Sequence, residues 1–206
     1  MSVNEFVNLN TAEDLDLRMT AQLAVHCAPI LKDVKVANIL TVEEADFKGL
    51  GYLLRGTGIS YRFLKTEGGK AILYLYRKKR LQKLLQDAQV RAFLAGYGYG
   101  TKTGDCEENA AEVDMNAALD ILSAHITLFQ NGGGAFPHEI GIFLGYPLWD
   151  VQGFLENEGK NFAYLGYWKV YRDVQGAKNI FRRFDEMKEQ ALQELMCGKT
   201  LREIAV

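Results

Sequence analysis

The chain has 206 residues, 48% of them hydrophobic and 24% charged, with a formal net charge of -2. That length and balance suit a globular domain with a sizeable core, and the near-neutral charge excludes a global electrostatic footprint for nucleic acid or anionic membrane. No apolar run approaches the ~18 residues of a membrane span, and the stretch MSVNEFVNLNTAEDLDLR lacks the basic start and apolar core of a signal peptide. Three widely spaced cysteines, Cys27, Cys106 and Cys197, read as reduced thiols. The expectation is a cytoplasmic protein that contacts no membrane.

Thr11 with Asp14 forms a helix N-cap signal, and the helix is expected to run to about Cys27, with Leu15, Met19 and Leu23 recurring at i+4. Pro29 closes it. Residues 36–41 (VANILT) predict a short buried strand. Thr41 followed by Glu44 resembles a capping box, so a helix is expected to about Leu54, ended by Gly56 and Gly58. Residues 59–64 and 71–76 predict two strands joined by a hairpin at Glu67-Gly-Gly. The first places Ile59, Tyr61 and Phe63 on one face. The second is apolar on both faces and is therefore expected to be central.

Residues 78–95 predict one or two helices with Leu81, Leu84 and Leu85 inward, and 96–105 a loop. Residues 107–130 carry the longest helical pattern, with Met115, Leu119, Leu122, Ile126 and Phe129 spaced three and four apart. Asn131 and three glycines end it. Two short helices meeting at a tight corner are expected over 137–158. Residues 162–171 (FAYLGYWKVY) predict a fourth strand. A C-terminal helical segment, 173–206, begins with an amphipathic helix to Cys197, is broken at Gly198 and resumes in LREIAV. This order predicts an α+β fold, a small mixed or antiparallel sheet of about four strands packed with helices. A single domain over 1–206 is expected, with 96–105 and 131–135 the candidate seams.

His138-Glu139 opens like the zinc motif H-E-x-x-H, but Ile142 stands where the second histidine belongs. His26 and His125 are distant in sequence, so no metal site is expected. A capping reading accounts for the pair. Pro137 suits a first helical position, Glu139 suits the positive end of the helix dipole, and His138 would be a neutral hydrogen-bonding group. The corner has the shape of a helix-turn-helix. Its second helix, PLWDVQGFLENE, carries Asp150, Glu156 and Glu158 and no basic residue, so phosphate would repel it. GYGYGTKT at 96–103 misses the P-loop pattern, because Thr101 replaces the second glycine and a helix precedes it. No G-x-G-x-x-G follows a predicted strand and no G-x-S-x-G occurs, so the cofactor question stays open.

Arg77, Lys78, Lys79 and Arg80, with Lys83, form the one basic cluster. They read as an anion or RNA site, or as a solvated face with stems lying over the core. Adjacent helical residues diverge by about 100°, so His26 and Cys27 would rarely share a metal. A core histidine and a buried thiol are expected there, and a packed, hydrogen-bonded His125. Tyr167, Lys169 and Tyr171 share one face of the last predicted strand, with Trp168 and Tyr164 on the other. That face reads as a ligand surface or as a core sheet with one snorkelling lysine. The C-terminal CGKTLREIAV is similar to the opening helix of bacterial helix-turn-helix segments and is at most a remnant or a docking helix.

Several of these segments carry a family resemblance. HCAPIL at 26–31 with VANIL at 36–40, YLYR at 74–77, FPHEIGIFLGYPLWDVQGFLENEGKN at 136–161 and GYWKVY at 166–171 together resemble one bacterial family catalogued as a domain of unknown function. Its members come largely from anaerobic, clostridia-like bacteria. The resemblance covers about residues 20–190, and 136–171 is its most specific stretch. Ile30 departs from a typical threonine and Lys78 from a frequent proline, which makes the basic cluster a feature of this chain. The resemblance implies one compact cytoplasmic domain, implies no activity, and marks His138, Glu139, Tyr146, Trp168, Lys169 and Tyr171 as motif positions.

Three functions follow for comparison. The first is a non-enzymatic module binding a small molecule or a protein partner, unknown from sequence, through Tyr167, Lys169 and Tyr171. The second is an enzyme with a scattered site, in which His138 is the acid or base, Glu139 its orienter, and Lys169 or Arg62 an anion clamp. The third is nucleic-acid or anion binding through Arg77 to Lys83, which the overall charge disfavours.

Overall fold

The computed structural model describes residues 15–100 and 113–205. The cap at Thr11 and Asp14, Cys106, the loop past residue 100 and the long helix before 113 lie outside the described residues. In chain order the elements are α1 (Leu15–His26), α2 (Ala28–Leu31), β1 (Ala37–Glu43), a 3₁₀ turn (Glu44–Asp46), α3 (Phe47–Leu53), β2 (Ser60–Glu67) and β3 (Lys70–Tyr76). They continue with α4 (Lys78–Leu85), α5 (Ala88–Ala95), α6 (Met115–Gln130), α7 (Ile140–Phe143) and α8 (Leu148–Glu156). Last come β4 (Tyr164–Leu165), β5 (Lys169–Val170), α9 (Val174–Met196) and α10 (Leu201–Ile204). The fold is α+β, as the element order predicts.

The chain divides into two compact units, one built from residues up to 77 together with 173 onward, the other from 78–172. Both candidate seams fall inside the second unit. The divisions lie instead where β3 passes into α4 and where the segment after β5 passes into α9.

The first unit holds an antiparallel sheet in the order β1-β3-β2. β3 is central, as its two apolar faces predict, with Leu73, Tyr74 and Leu75 fully buried. Gly68 and Gly69 turn the hairpin at φ 58° and 77°, the left-handed pair that a two-residue loop requires, and Glu67 pairs with Lys70 across it. A bulge between Phe63 and Lys65 turns Leu64 into the core. Tyr61 and Phe63 keep ring contact at 5.9 Å, with Tyr61 exposed.

Three local expectations fail for physical reasons. Thr41 does not cap a helix, because the β1 ladder continues past it to the pair Glu43 and Lys70, and the following turns carry no side-chain cap. Pro29 does not close α1. It sits in the first turn of α2, where a missing N–H is no loss. His26 is exposed, while Cys27 is enclosed and burial pushes its thiol up to about 12. The core joins Met19, Leu23, Ile30 and Leu31 to Leu50, Leu73 and Leu75, and to Ala191, Leu201 and Ile204 of the C-terminal segment. A capping box of Thr200 and Glu203 starts α10, so LREI is packed structure within this unit.

In the second unit α4 and α5 bury Leu81, Leu85, Val90 and Leu94, and α6 buries Met115, Leu119, Leu122 and Ile126. Phe129 continues the stripe but is exposed at the end of the helix, edge-on against Phe136 at 5.3 Å. The predicted fourth strand is two short ones. Gly166 donates its N–H to the Trp168 carbonyl, which folds β4 back on β5 as a separate ribbon with Leu165 opposite Lys169. No helix of the described residues is long and apolar enough to cross a membrane.

Candidate ligand-binding site

The corner between α7 and α8 is built by FLGYP. Gly145 adopts φ 78°, its N–H donates to the Ile142 carbonyl, and the Tyr146 N–H donates to Gly141. That pair of bonds is the Schellman arrangement that closes a helix. Pro147 then stands at the N-cap of α8. Gly141 lets the next helix approach closely, since a Cβ there would lie 2.9 Å from Val151 and 3.2 Å from the Tyr146 ring. Gly153 does the same for the ribbon, as a Cβ there would lie 2.6 Å from the Tyr171 ring.

The result is a pocket of about 290 Å³. One wall comes from the approach to α7 and its first turn, with Phe136, His138, Ile140 and Gly141, followed by Tyr146. A second comes from α8, with Asp150, Val151 and Phe154. The third is the ribbon, residues 165–169. Its aromatic groups are ordered among themselves. Tyr146 stacks on Trp168 at 5.0 Å, and the His138 ring lies 5.1 Å from Phe136 and 4.8 Å from Phe154.

His138 is half-buried, and its ring packs against those of Phe136 and Phe154. Burial lowers its pKa, partly opposed by the charge of Glu139. At neutral pH the imidazole is therefore uncharged and offers one donor and one acceptor. Lys169 is also half-buried. Its ammonium donates to the Gly159 carbonyl at 2.7 Å and lies 5.3 Å from the Phe154 ring centre and 5.2 Å from that of Phe162.

Two buried carboxylates hold this architecture. Asp150 accepts from the Trp168 indole N–H at 2.8 Å, from the Tyr171 N–H at 2.8 Å and from the Arg172 N–H at 3.4 Å. It thereby fixes the ribbon to α8. As a surface charge it argued against DNA, yet it is buried beside Val151 on α8. Glu139 accepts from His125 Nδ1 at 2.7 Å and from the Tyr99 hydroxyl at 3.2 Å, both on Oε1. Burial and the Glu139 charge push the Tyr99 pKa up, so this hydroxyl stays a donor. Glu139 therefore orients His125, where it was expected to cap a helix or to orient His138, and His125 is a hydrogen-bonded residue as expected.

The structure brings His138, Tyr167 and Lys169 together at the pocket and leaves other candidates outside it. Tyr171 packs on Gly153 and is not part of the lining. Arg62 lies on β2, beside Tyr76 in the other unit. The basic cluster is divided. Lys78, Lys79 and Arg80 are exposed on α4. Arg77 is engaged in the first unit, donating to the carbonyls of Ile30 at 2.9 Å, Leu31 at 2.7 Å and Thr57 at 2.8 Å. Sequence reading missed Phe136, Phe154 and Leu165 as lining residues. Apolar residue type alone does not separate a pocket wall from an ordinary core or surface. Among the described residues no group of three or more histidine, cysteine or carboxylate side chains is gathered for a metal ion.

No curated protein and no solved structure matches the chain. A family model does match, over residues 23–205, a span that runs through both units without a break. The chain belongs to the family described as protein of unknown function, DUF3793.

Proposed function

We propose that the protein is a cytoplasmic bacterial binding module, non-enzymatic, whose ligand is a small molecule held between α7, α8 and the β4–β5 ribbon. One observation carries this reading. The two segments that the sequence singled out, 136–161 and 166–171, are separate in the chain, and residues of both line one pocket of about 290 Å³. That size is at the small end for small-molecule sites, and an apolar, aromatic lining with a few polar groups is their usual composition. The free thiols of Cys27 and Cys197 fit a reducing compartment. The family match across both units supports one domain, with 173–206 as its C-terminal helical segment.

The enzymatic alternative is weakened by Glu139, whose oxygen is engaged by Tyr99 and His125 and gives His138 no partner. The nucleic-acid alternative is weakened by the engagement of Arg77 with backbone carbonyls and by the exposed Glu156 on α8. The helix-turn-helix-like corner serves here as a pocket wall.

The chain's two tryptophans, Trp149 and Trp168, give an internal control. Trp149 is exposed away from the lining, and Trp168 lines the pocket. Titration of the ¹⁵N-labelled chain with small aromatic fragments is expected to move the Trp168 indole signal and the amides of Gly141 and Gly166 saturably. The Trp149 indole stays in place. Saturable shifts confined to other residues would reject the site.

A further inference from the structure

We infer that the ligand of this pocket is a small organic anion, with its carboxylate at Lys169 and a flat apolar body against the aromatic walls. The inference rests on the binding-module reading and narrows it to one chemical class.

Among the described residues Lys169 is a cation without a counter-ion. An ammonium carries three N–H donors. One is taken by the neutral Gly159 carbonyl, and the flanks of the group face the Phe154 and Phe162 rings. Among the described residues no carboxylate is paired with it. The position directly across the ribbon, where an acid would pair with it, holds Leu165, which is 59% exposed. The one carboxylate in the lining, Asp150, has its charge spread over three N–H donors and is not available to Lys169.

The rest of the lining favours the same class. Aromatic walls also suit cationic ligands. Here the chain's own ammonium already occupies the face of Phe154, so a second cation would meet repulsion as well as a filled site. The stacked Tyr146 and Trp168 rings offer a flat apolar wall. A charge-assisted hydrogen bond at the edge of such a wall is stronger than a neutral one.

Calorimetric titration of the full chain with three probes of one shape separates the possibilities. These are 3-phenylpropionate, its amide and 3-phenylpropylamine. The propionate is expected to bind about tenfold more tightly than the amide, and the ammonium probe most weakly. Lys169→Gln should bring the ratio of propionate to amide affinity close to one. Leu165→Glu should do the same with the lysine intact, because it supplies a carboxylate across the ribbon at an exposed position that the fold tolerates.

Equal affinity for propionate and amide overturns the inference and leaves the pocket reading standing. So does a preference that survives both variants. Tightest binding of the ammonium probe overturns the inference and assigns the pocket to cations. Binding of none of the three overturns the inference together with the pocket reading.

Discussion

Asp150→Ala is expected to destabilise the protein by about 3 kcal/mol, the sum of three buried or half-buried donors deprived of a charged acceptor. The Trp168 indole N–H and the backbone N–H groups of Tyr171 and Arg172 all converge on this carboxylate. Water enters poorly beside a side chain only 3% exposed. For a chain of this length the loss corresponds to about 6–12 °C in Tm. Asp150→Asn keeps one carbonyl oxygen as acceptor and loses the charge, so about half the penalty is expected. Urea denaturation followed by tryptophan fluorescence and by circular dichroism measures both. A role for Asp150 in touching ligand alone would give the opposite pattern, an alanine variant of wild-type stability with impaired binding.

Arg77→Met should cost a similar amount, about 3 kcal/mol, from three carbonyls that lose charge-assisted donors. Arg77 follows β3, and its guanidinium reaches Ile30, Leu31 and Thr57 at 2.7 to 2.9 Å, with Asp33 at 3.6 Å. The fork ties the end of α2 to the turn before β2. A planar five-donor group can span three carbonyls in different directions, and a lysine ammonium cannot, so Arg77→Lys should recover less than half. Alanine at Lys78 or Lys79, both exposed, is expected to stay within about 0.5 kcal/mol of wild type. Equal, small effects at Arg77 and its neighbours in chemical denaturation would contradict this account and restore the basic cluster as one surface patch.

These two residues mark where sequence reading stops. Apolar periodicity located β3, its hairpin and the buried stripe of α6, because burial of apolar surface is what such patterns record. Gly145 and Pro147 located the corner, because left-handed backbone and fixed φ are local requirements. Arg77 and Asp150 looked like surface charges. Their burial depends on partners 20 to 47 positions away for Arg77, and 18 to 22 away for Asp150, and no local pattern encodes those. The same holds for Glu139, whose partner His125 lies 14 positions back on another helix.

At 162–171 the apolar and aromatic run was long enough for one strand. Gly166 broke it, by allowing the turn that folds β4 onto β5. That break makes the pocket, since a continuous strand would send Tyr167 and Lys169 along its length and would not turn them to face α7 and α8. His138 and Lys169 were legible as candidates from residue type. Their convergence on one cavity was not.

The most direct test is a crystal structure of the full chain soaked in 3-phenylpropionate. The account predicts the phenyl ring against Tyr146, Phe154 and Trp168, with the carboxylate within hydrogen-bond distance of Lys169 Nζ. A pocket closed by its own side chains, with the probe absent from it at saturating concentration, would contradict the account and make the segment from Phe136 to Phe154 a packing device.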